Sequence, residues 1–358
     1  MVGIGRCETS HPFLGVEACI SICLRSTECV ECLVFRLESA MWSEKYRPAT
    51  LLEMRNQVDV VNRLKRFAET KAMPHCLFAG PPGSGKTTAA LCLAHDLFGE
   101  RFMDAFMELN ASDARGIDVI RTTVKEFARI ATISEVPFKI LVLDEADNMT
   151  ADAQHALRRT MERYTDTCRF VLSCNYSGKI IEPIQSRCAI FRFIPLSEED
   201  VAAYVKTVAE KEHVRLTEHG LRALTNASEG DLRKAINTLQ GAASLGQSID
   251  EKVVYEVVGK AKPDDVQELL EIATRGEFLK AREKLRGLLI QQGLSGKDIL
   301  KQIHSEILRM PIPENSKIQL IDAVGEIDFR LIQGADEEVQ LSSLLAHLAL
   351  VGPHKHSS

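Results

Sequence analysis

Between Thr50 and Ser197 two hydrophobic rhythms alternate along the chain. Segments of helical period run over Val58–Lys71, Lys86–Phe98, Ile117–Ala131 and Ala151–Tyr164. Short apolar runs stand between and after them: His75–Ala79, Phe106–Leu109, Lys139–Leu143, Arg169–Ser173 and Ala189–Phe193. Strands separated by helices predict a parallel sheet covered on both faces, an α/β fold. Runs without polar alternation fit strands buried on two sides. After Pro195 the strand signals stop. Ser197, followed by Glu198, Glu199 and Asp200, predicts a capped helix whose first turn carries acids that suit its dipole. Helical patterns continue to about Ala261, and Lys262-Pro263 reads as a linker. A second helical array spans Asp264 to Leu350, broken at Gly293, Pro311 and Pro313. The expected domains are 41–197, 198–262 and 263–351, with a tail at 352–358.

Residues 1–40 differ from the rest. They have no sustained period, and Glu17 and Arg25 interrupt the apolar run that a secretory signal requires. Cys29-x-x-Cys32, with Cys19 and Cys23 upstream, has the residues of a zinc knuckle but a loose first spacing. Met41 directly precedes the first segment that reads as designed structure, so the expectation is a disordered extension. The ten cysteines form no spaced disulfide framework, which points to a reducing cytoplasm. No apolar run is long enough for a transmembrane helix.

One loop carries specific chemistry. Gly80-Pro81-Pro82-Gly83-Ser84-Gly85-Lys86-Thr87 satisfies G-x-x-x-x-G-K-T, follows an apolar run and opens a helical segment. Its glycines let the backbone wrap phosphates, and its N–H groups and the helix start point at the anion. Lys86 supplies charge for the β and γ phosphates, and the Thr87 hydroxyl suits Mg²⁺; Thr88 extends the same site. The apolar run ending in Asp144-Glu145 adds a carboxylate for Mg²⁺ and one to polarise an attacking water. Asn175, after the next run, suits the γ-phosphate or that water. Arg187 and Arg233 are candidates to stabilise charge on the transferring phosphoryl group, although each also reads as a surface ion pair.

Net charge is −6, which argues against a protein that coats DNA over its whole surface. The deficit lies elsewhere than in residues 41–197, which hold 21 basic and 19 acidic side chains. Within them Arg121, Lys125 and Arg129 recur every four residues, with Arg115 near the helix entrance. Such a stripe can follow a phosphate backbone without reading bases, or be a solvated face.

From Met41 to about Val351 the chain resembles the small subunits of replication factor C, the AAA+ sliding-clamp loaders, in their archaeal form. The likeness rests on Trp42-x-Glu44-Lys45-Tyr46-Arg47-Pro48, the phosphate loop, Leu109-Asn110-Ala111-Ser112-Asp113, Asp144-Glu145-Ala146-Asp147, Ala156-Leu157-Arg158-Arg159-Thr160-Met161-Glu162, Ser186-Arg187-Cys188 and Gly230-Asp231-Leu232-Arg233-Lys234. It implies an AAA+ domain, a helical lid and a helical collar. It implies an ATP site with Mg²⁺ built from Lys86, Thr87, Asp144, Glu145 and Asn175, with Tyr46, Arg47 and Pro48 near the adenine. Arg187 would be the finger reaching a neighbour's ATP, Arg233 the lid sensor, and Gln154 a coupler to the DNA-facing helix. The implied partners are a PCNA-type clamp, primer–template DNA, other small subunits and a large subunit. Ile130 and Ile133 are possible clamp anchors or core residues. Where the family has a glycine before a polar pair, this chain has Asn56, which tolerates left-handed backbone. Two alternatives remain at this point. Asp144-Glu145-Ala146-Asp147 spells a helicase box, but Ser173-Cys174-Asn175 replaces the usual Ser-Ala-Thr and no second RecA-like domain follows. A ring subunit that binds ATP without cutting it would not need Glu145 and Arg187.

Overall fold

The computed structural model describes residues 41–99, 102–112, 116–130, 136–246 and 248–351. The cysteines of the zinc expectation, Arg115 and Ile133 lie outside these residues. The chain divides into two compact units at Arg47/Pro48. Of the first, a short helix α1 (Trp42–Lys45) is described, followed by Arg47, whose guanidinium lies 3.2 Å from Glu44.

The second unit opens with α2 (Val58–Thr70), β1 (His75–Ala79), α3 (Lys86–Phe98), α4 (Phe102–Ala105) and β2 (Phe106–Asn110). Next comes α5, which is α-helical over Ile117–Val119, π-helical over Ile120–Val124 and α-helical again over Lys125–Arg129. It is followed by β3 (Lys139–Asp144), α6 (Ala151–Arg163), β4 (Cys168–Cys174), α7 (Glu182–Gln185) and β5 (Cys188–Arg192). The five strands form a parallel sheet in the order β2-β3-β4-β1-β5. Alternate strand residues feed two separate cores, as a period of two requires. Cys76, Phe78, Ile140, Val142 and Val171 pack with Val61 and Leu64 of α2 and with Leu93 and Leu97 of α3. Leu77, Leu141, Leu143, Phe170 and Leu172 pack with Ile120 and Val124 of α5 and with Leu157 and Met161 of α6.

The remaining elements are helical: α8 (Glu198–Lys211), α9 (Glu218–Ser228), α10 (Leu232–Ser244), α11 (Glu251–Val258), α12 (Pro263–Thr274), α13 (Phe278–Arg286), α14 (Gly296–Arg309), α15 (Glu314–Ile332) and α16 (Glu337–Val351). The Ser197 cap forms as expected, its hydroxyl accepting from Asp200 N at 3.1 Å. Val266 and Leu270 of α12, Ile303 and Ile307 of α14, and Leu344 and Leu348 of α16 share a third core.

Two local expectations change. The Lys262-Pro263 linker is instead a helix start: Lys262 caps α12 and Pro263 is its first residue, where proline's missing N–H costs nothing. The helix expected over Ile117–Ala131 contains the π-helical segment, and Thr122 Oγ1 bonds back to Asp118 O at 2.8 Å there. Among the described residues no helix is long and apolar enough to cross a membrane.

Candidate active site

The site gathers at the carboxyl ends of β1, β3 and β4, where open parallel sheets bind ligands. Gly83 (φ +68°) and Gly85 (φ +92°) take left-handed backbone that a side chain would strain, and they turn the chain from β1 into the start of α3. Ser84 Oγ donates to Pro81 O at 2.7 Å and ties the loop to itself.

Lys86 is buried at the first turn of α3. Its Nζ donates to Gly80 O (2.8 Å), Pro81 O (2.9 Å) and Asn175 Oδ1 (3.0 Å). All three donors thus meet neutral oxygens, and burial lowers the ammonium's pKa from its ordinary value. A buried cation held by uncharged acceptors is a receptor for an anion, so these residues fit a polyphosphate. The neighbouring Thr87 Oγ1 donates to Asp144 Oδ2 at 2.8 Å. A hydroxyl and a carboxylate side by side are the hard oxygen donors that suit Mg²⁺.

Glu145 follows Asp144 with φ +52°, a backbone state that non-glycine residues adopt at a cost. Its N–H donates to Asp144 Oδ1 at 3.0 Å. Its carboxylate accepts from Ser112 Oγ and from Asn148 Nδ2 (3.2 Å), and Asn148 Nδ2 also reaches Ser112 Oγ at 2.7 Å. Asp147 is buried and receives Asn175 N (3.4 Å) and Tyr176 N (3.2 Å), so it fixes the β4 tip from which Asn175 reaches Lys86.

Two further elements approach the loop. Asp231 caps α10 by accepting from Lys234 N at 2.9 Å, and its carboxylate lies so close to Gly83 that a Cβ there would stand 1.9 Å from Asp231 Oδ1. Arg233, two residues on, is exposed, and its charge helps lower the Lys86 pKa. The Pro48 carbonyl accepts from Cys92 Sγ of α3 at 3.2 Å. Arg187 is not among these groups. Its Nη2 lies 2.6 Å from Glu162 Oε1, which also holds Arg158 Nε at 3.1 Å, and its Nη1 donates to Pro183 O at 2.7 Å.

The buried Gln154 sits behind the site. Its amide donates to Met149 O (3.3 Å) and Lys179 O (3.0 Å) and accepts from Ile181 N (2.8 Å). Arg121 and Lys125 line one cleft together, while Arg129 is exposed at the end of α5 beside the exposed Ile130. Sequence reasoning gave no role to Ser112, Asn148 or Asp147. Asp147 and Asn148 stand three and four residues past Asp144, and Ser112 and Asp147 were visible only as members of the family motifs.

Fold and site together define a P-loop ATPase of the AAA class. A model of the AAA family of ATPases matches residues 76–196, an AAA+ lid model described as RCF1/5-like matches 204–244, and the replication factor C C-terminal domain matches 261–347. Relatives named replication factor C small subunit are 58% identical over 315 residues in Staphylothermus marinus (87% of this chain, 95% of that one). Another, from Sulfurisphaera tokodaii, is 55% identical over 317 residues (88% and 97%). That from Archaeoglobus fulgidus is 54% identical over 309 residues (86% and 97%). A substituted form of Thermotoga maritima RuvB shares the fold at a TM-score of 0.51 and 19% identity, over 85% of this chain and 90% of that one. The chain belongs to the replication factor C small-subunit family, ATPases with a clamp-loader role in DNA replication.

Proposed function

We propose that ATP binds between neighbouring subunits of a ring and that its hydrolysis releases a PCNA-type clamp onto primer–template DNA. The observation that carries this reading is the buried Lys86 ammonium, held by neutral oxygens beside the Thr87–Asp144 pair and Glu145. Gly80, Pro81, Pro82, Gly83, Ser84, Gly85 and Thr88 cradle the phosphates, with Tyr46, Arg47 and Pro48 at the adenine. Thr87 and Asp144 hold Mg²⁺, which when bound offsets phosphate charge. Glu145 takes the proton of the attacking water, Asn175 orients that water, and Arg233 meets the γ-phosphate from the lid. Arg187 acts on the neighbour's ATP. Glu162 and the Pro183 carbonyl hold its guanidinium, and none of its bonds reaches its own chain's phosphate loop, which supports a role in trans.

Arg121, Lys125 and Arg129, with Arg115, meet DNA phosphates, and Ile130 and Ile133 meet the clamp. Residues 41–197 form the nucleotide domain, 198–262 the lid and 263–351 the collar that joins small subunits and a large subunit. The working site is the cytoplasm, at the nucleoid. The test compares ATP binding and turnover of the Glu145→Gln protein with the parent. Retained binding with turnover lost supports the reading, and unchanged turnover removes Glu145 from the chemistry.

A further inference from the structure

We propose that Glu229 and Asp231 are positioning residues for Arg233, because the turn between α9 and α10 is seated on the phosphate loop at one end and tied to the C-terminal helical array at the other. This rests on reading Arg233 as the contact to the γ-phosphate.

Three consecutive residues of that turn each meet a different part of the chain. Asp231 rests on the phosphate loop, where its carboxylate fills the space that a Cβ of Gly83 would take. Gly230 packs on the segment that leaves β5. Its carbonyl accepts from Leu196 N at 3.3 Å, and a Cβ on it would stand 2.8 Å from Leu196 O. Glu229 pairs with Lys260, whose Nζ also donates to Ala227 O at 3.5 Å. The residues after Lys260 belong to the C-terminal array. Ala261 is buried in its core, the Ala261 carbonyl accepts from Gln302 Nε2 of α14 at 3.0 Å, and Lys262 caps α12. Lys260 therefore reaches back into the turn from a joint without slack.

Exposed ion pairs are worth little, and the Glu229 side chain is largely exposed. Its partner is not: the Lys260 side chain is only 13% exposed. Without Glu229 a mostly buried ammonium would lose its anion, which holds the pair together. The Glu229 carboxylate sits below its ordinary pKa, chiefly through the Lys260 hydrogen bond, with the charges of Lys234 and Lys301 acting the same way. The backbone agrees with this. Glu229 takes φ +55° and Gly230 φ +81°. Glycine would adopt the first without strain, so a glutamate there is held against it. The two ties fix where the first turn of α10 stands relative to the phosphate loop. Arg233 lies in that turn, close enough for its charge to lower the Lys86 pKa.

The test compares assembled full-length protein carrying Glu229→Gln or Asp231→Ser with the parent. Serine keeps a helix cap but is too short to reach Gly83, so it separates the two duties of Asp231. Turnover is measured at saturating ATP, at a temperature where circular dichroism shows each variant folded. A misplacement of 1 Å costs about 100-fold, so a shift of half that size lowers kcat about tenfold. Lys260→Met, which leaves no unmatched cation in the joint, gives the same loss as Glu229→Gln. Asp231→Asn, which keeps length and cap, retains the parental kcat. ADP lacks the phosphate that Arg233 meets, so its affinity for the Glu229→Gln protein stays parental. Adding Arg233→Ala to either variant lowers kcat no further than Arg233→Ala does alone. Losses that multiply with that of Arg233→Ala show independent damage and overturn the proposal, as does a parental kcat in Asp231→Ser, Glu229→Gln or Lys260→Met. ADP affinity that falls along with kcat places the damage in the phosphate loop and overturns it too. A parental kcat in Arg233→Ala overturns the reading of Arg233 itself, and the proposal with it.

Discussion

Replacing Gln154 by leucine keeps most of the side-chain volume and removes three hydrogen bonds. Gln154 is only 3% exposed, and its amide spans two carbonyls and one N–H, those of Met149, Lys179 and Ile181. Each bond is worth about 0.5–1.5 kcal/mol net, and a buried group left unmatched costs more, so the loss is roughly 2–4 kcal/mol. For a domain of this size that lowers the unfolding midpoint by roughly 6–12 °C. The functional consequence follows from where the bonds lead. Gln154 lies on α6, behind Asp144 and Glu145, and Ile181 directly precedes α7 and the Arg187 turn. ATP binding therefore survives in Gln154→Leu, because no phosphate-loop residue loses a partner. DNA-stimulated turnover falls, because the link between the β3 tip and the Arg187 segment is cut. Thermal unfolding followed by circular dichroism gives the first number, and ATPase assays at a temperature where the variant is folded give the second. A midpoint within about 1 °C of the parent, with stimulated turnover unchanged, refutes the reasoning.

Two other predictions concern different groups. Ser112→Ala removes a hydroxyl that grips the Glu145 carboxylate, so turnover without DNA rises several-fold while the stimulated rate changes little; equal basal rates would show that the contact does not restrain Glu145. His75 is held neutral at a pKa of about 4 by burial and then by Arg169, with Phe170 N donating to its Nδ1 at 3.1 Å. Its unfolded pKa is about 6.5, so its stabilising contribution is complete above that pH and is lost as pH falls towards 4, by up to about 3 kcal/mol. The urea midpoint of the parent should therefore fall more steeply over that range than that of His75→Asn, which keeps an acceptor; parallel profiles would contradict this.

The strands and the phosphate loop were legible in the sequence because their signals are local. Cys76 to Phe78, Ile140 to Leu143 and Phe170 to Leu172 are unbroken apolar runs, and the structure buries them on both faces of the sheet. Asn56 was legible as a left-handed turn and takes φ +63°. The strand order was not legible, because β1 pairs with β4 and β5 across long separations that leave no local pattern. Partnerships between distant side chains were equally silent. Nothing near Glu162 announces that it holds Arg187, and nothing near Ser112 announces Glu145. The short helices α1, α4 and α7, four residues each, are too brief to show a period. Arg121 and Lys125 read as one stripe with Arg129, yet they share their cleft with Arg159, which the sequence placed only within a family motif, and with Arg163, to which it gave no role.

Complementation tests the central claim, that ATP is cut between subunits by Glu145 of one and Arg187 of the next, most directly. Rings built only from Glu145→Gln chains, or only from Arg187→Ala chains, should hydrolyse ATP at background. In a 1:1 mixture, about a quarter of interfaces pair an intact Glu145 with an intact Arg187 from the neighbour, so turnover recovers to roughly a quarter of the parental rate. A mixture that stays at background, or Arg187→Ala rings that turn over at the parental rate, would contradict a finger acting in trans.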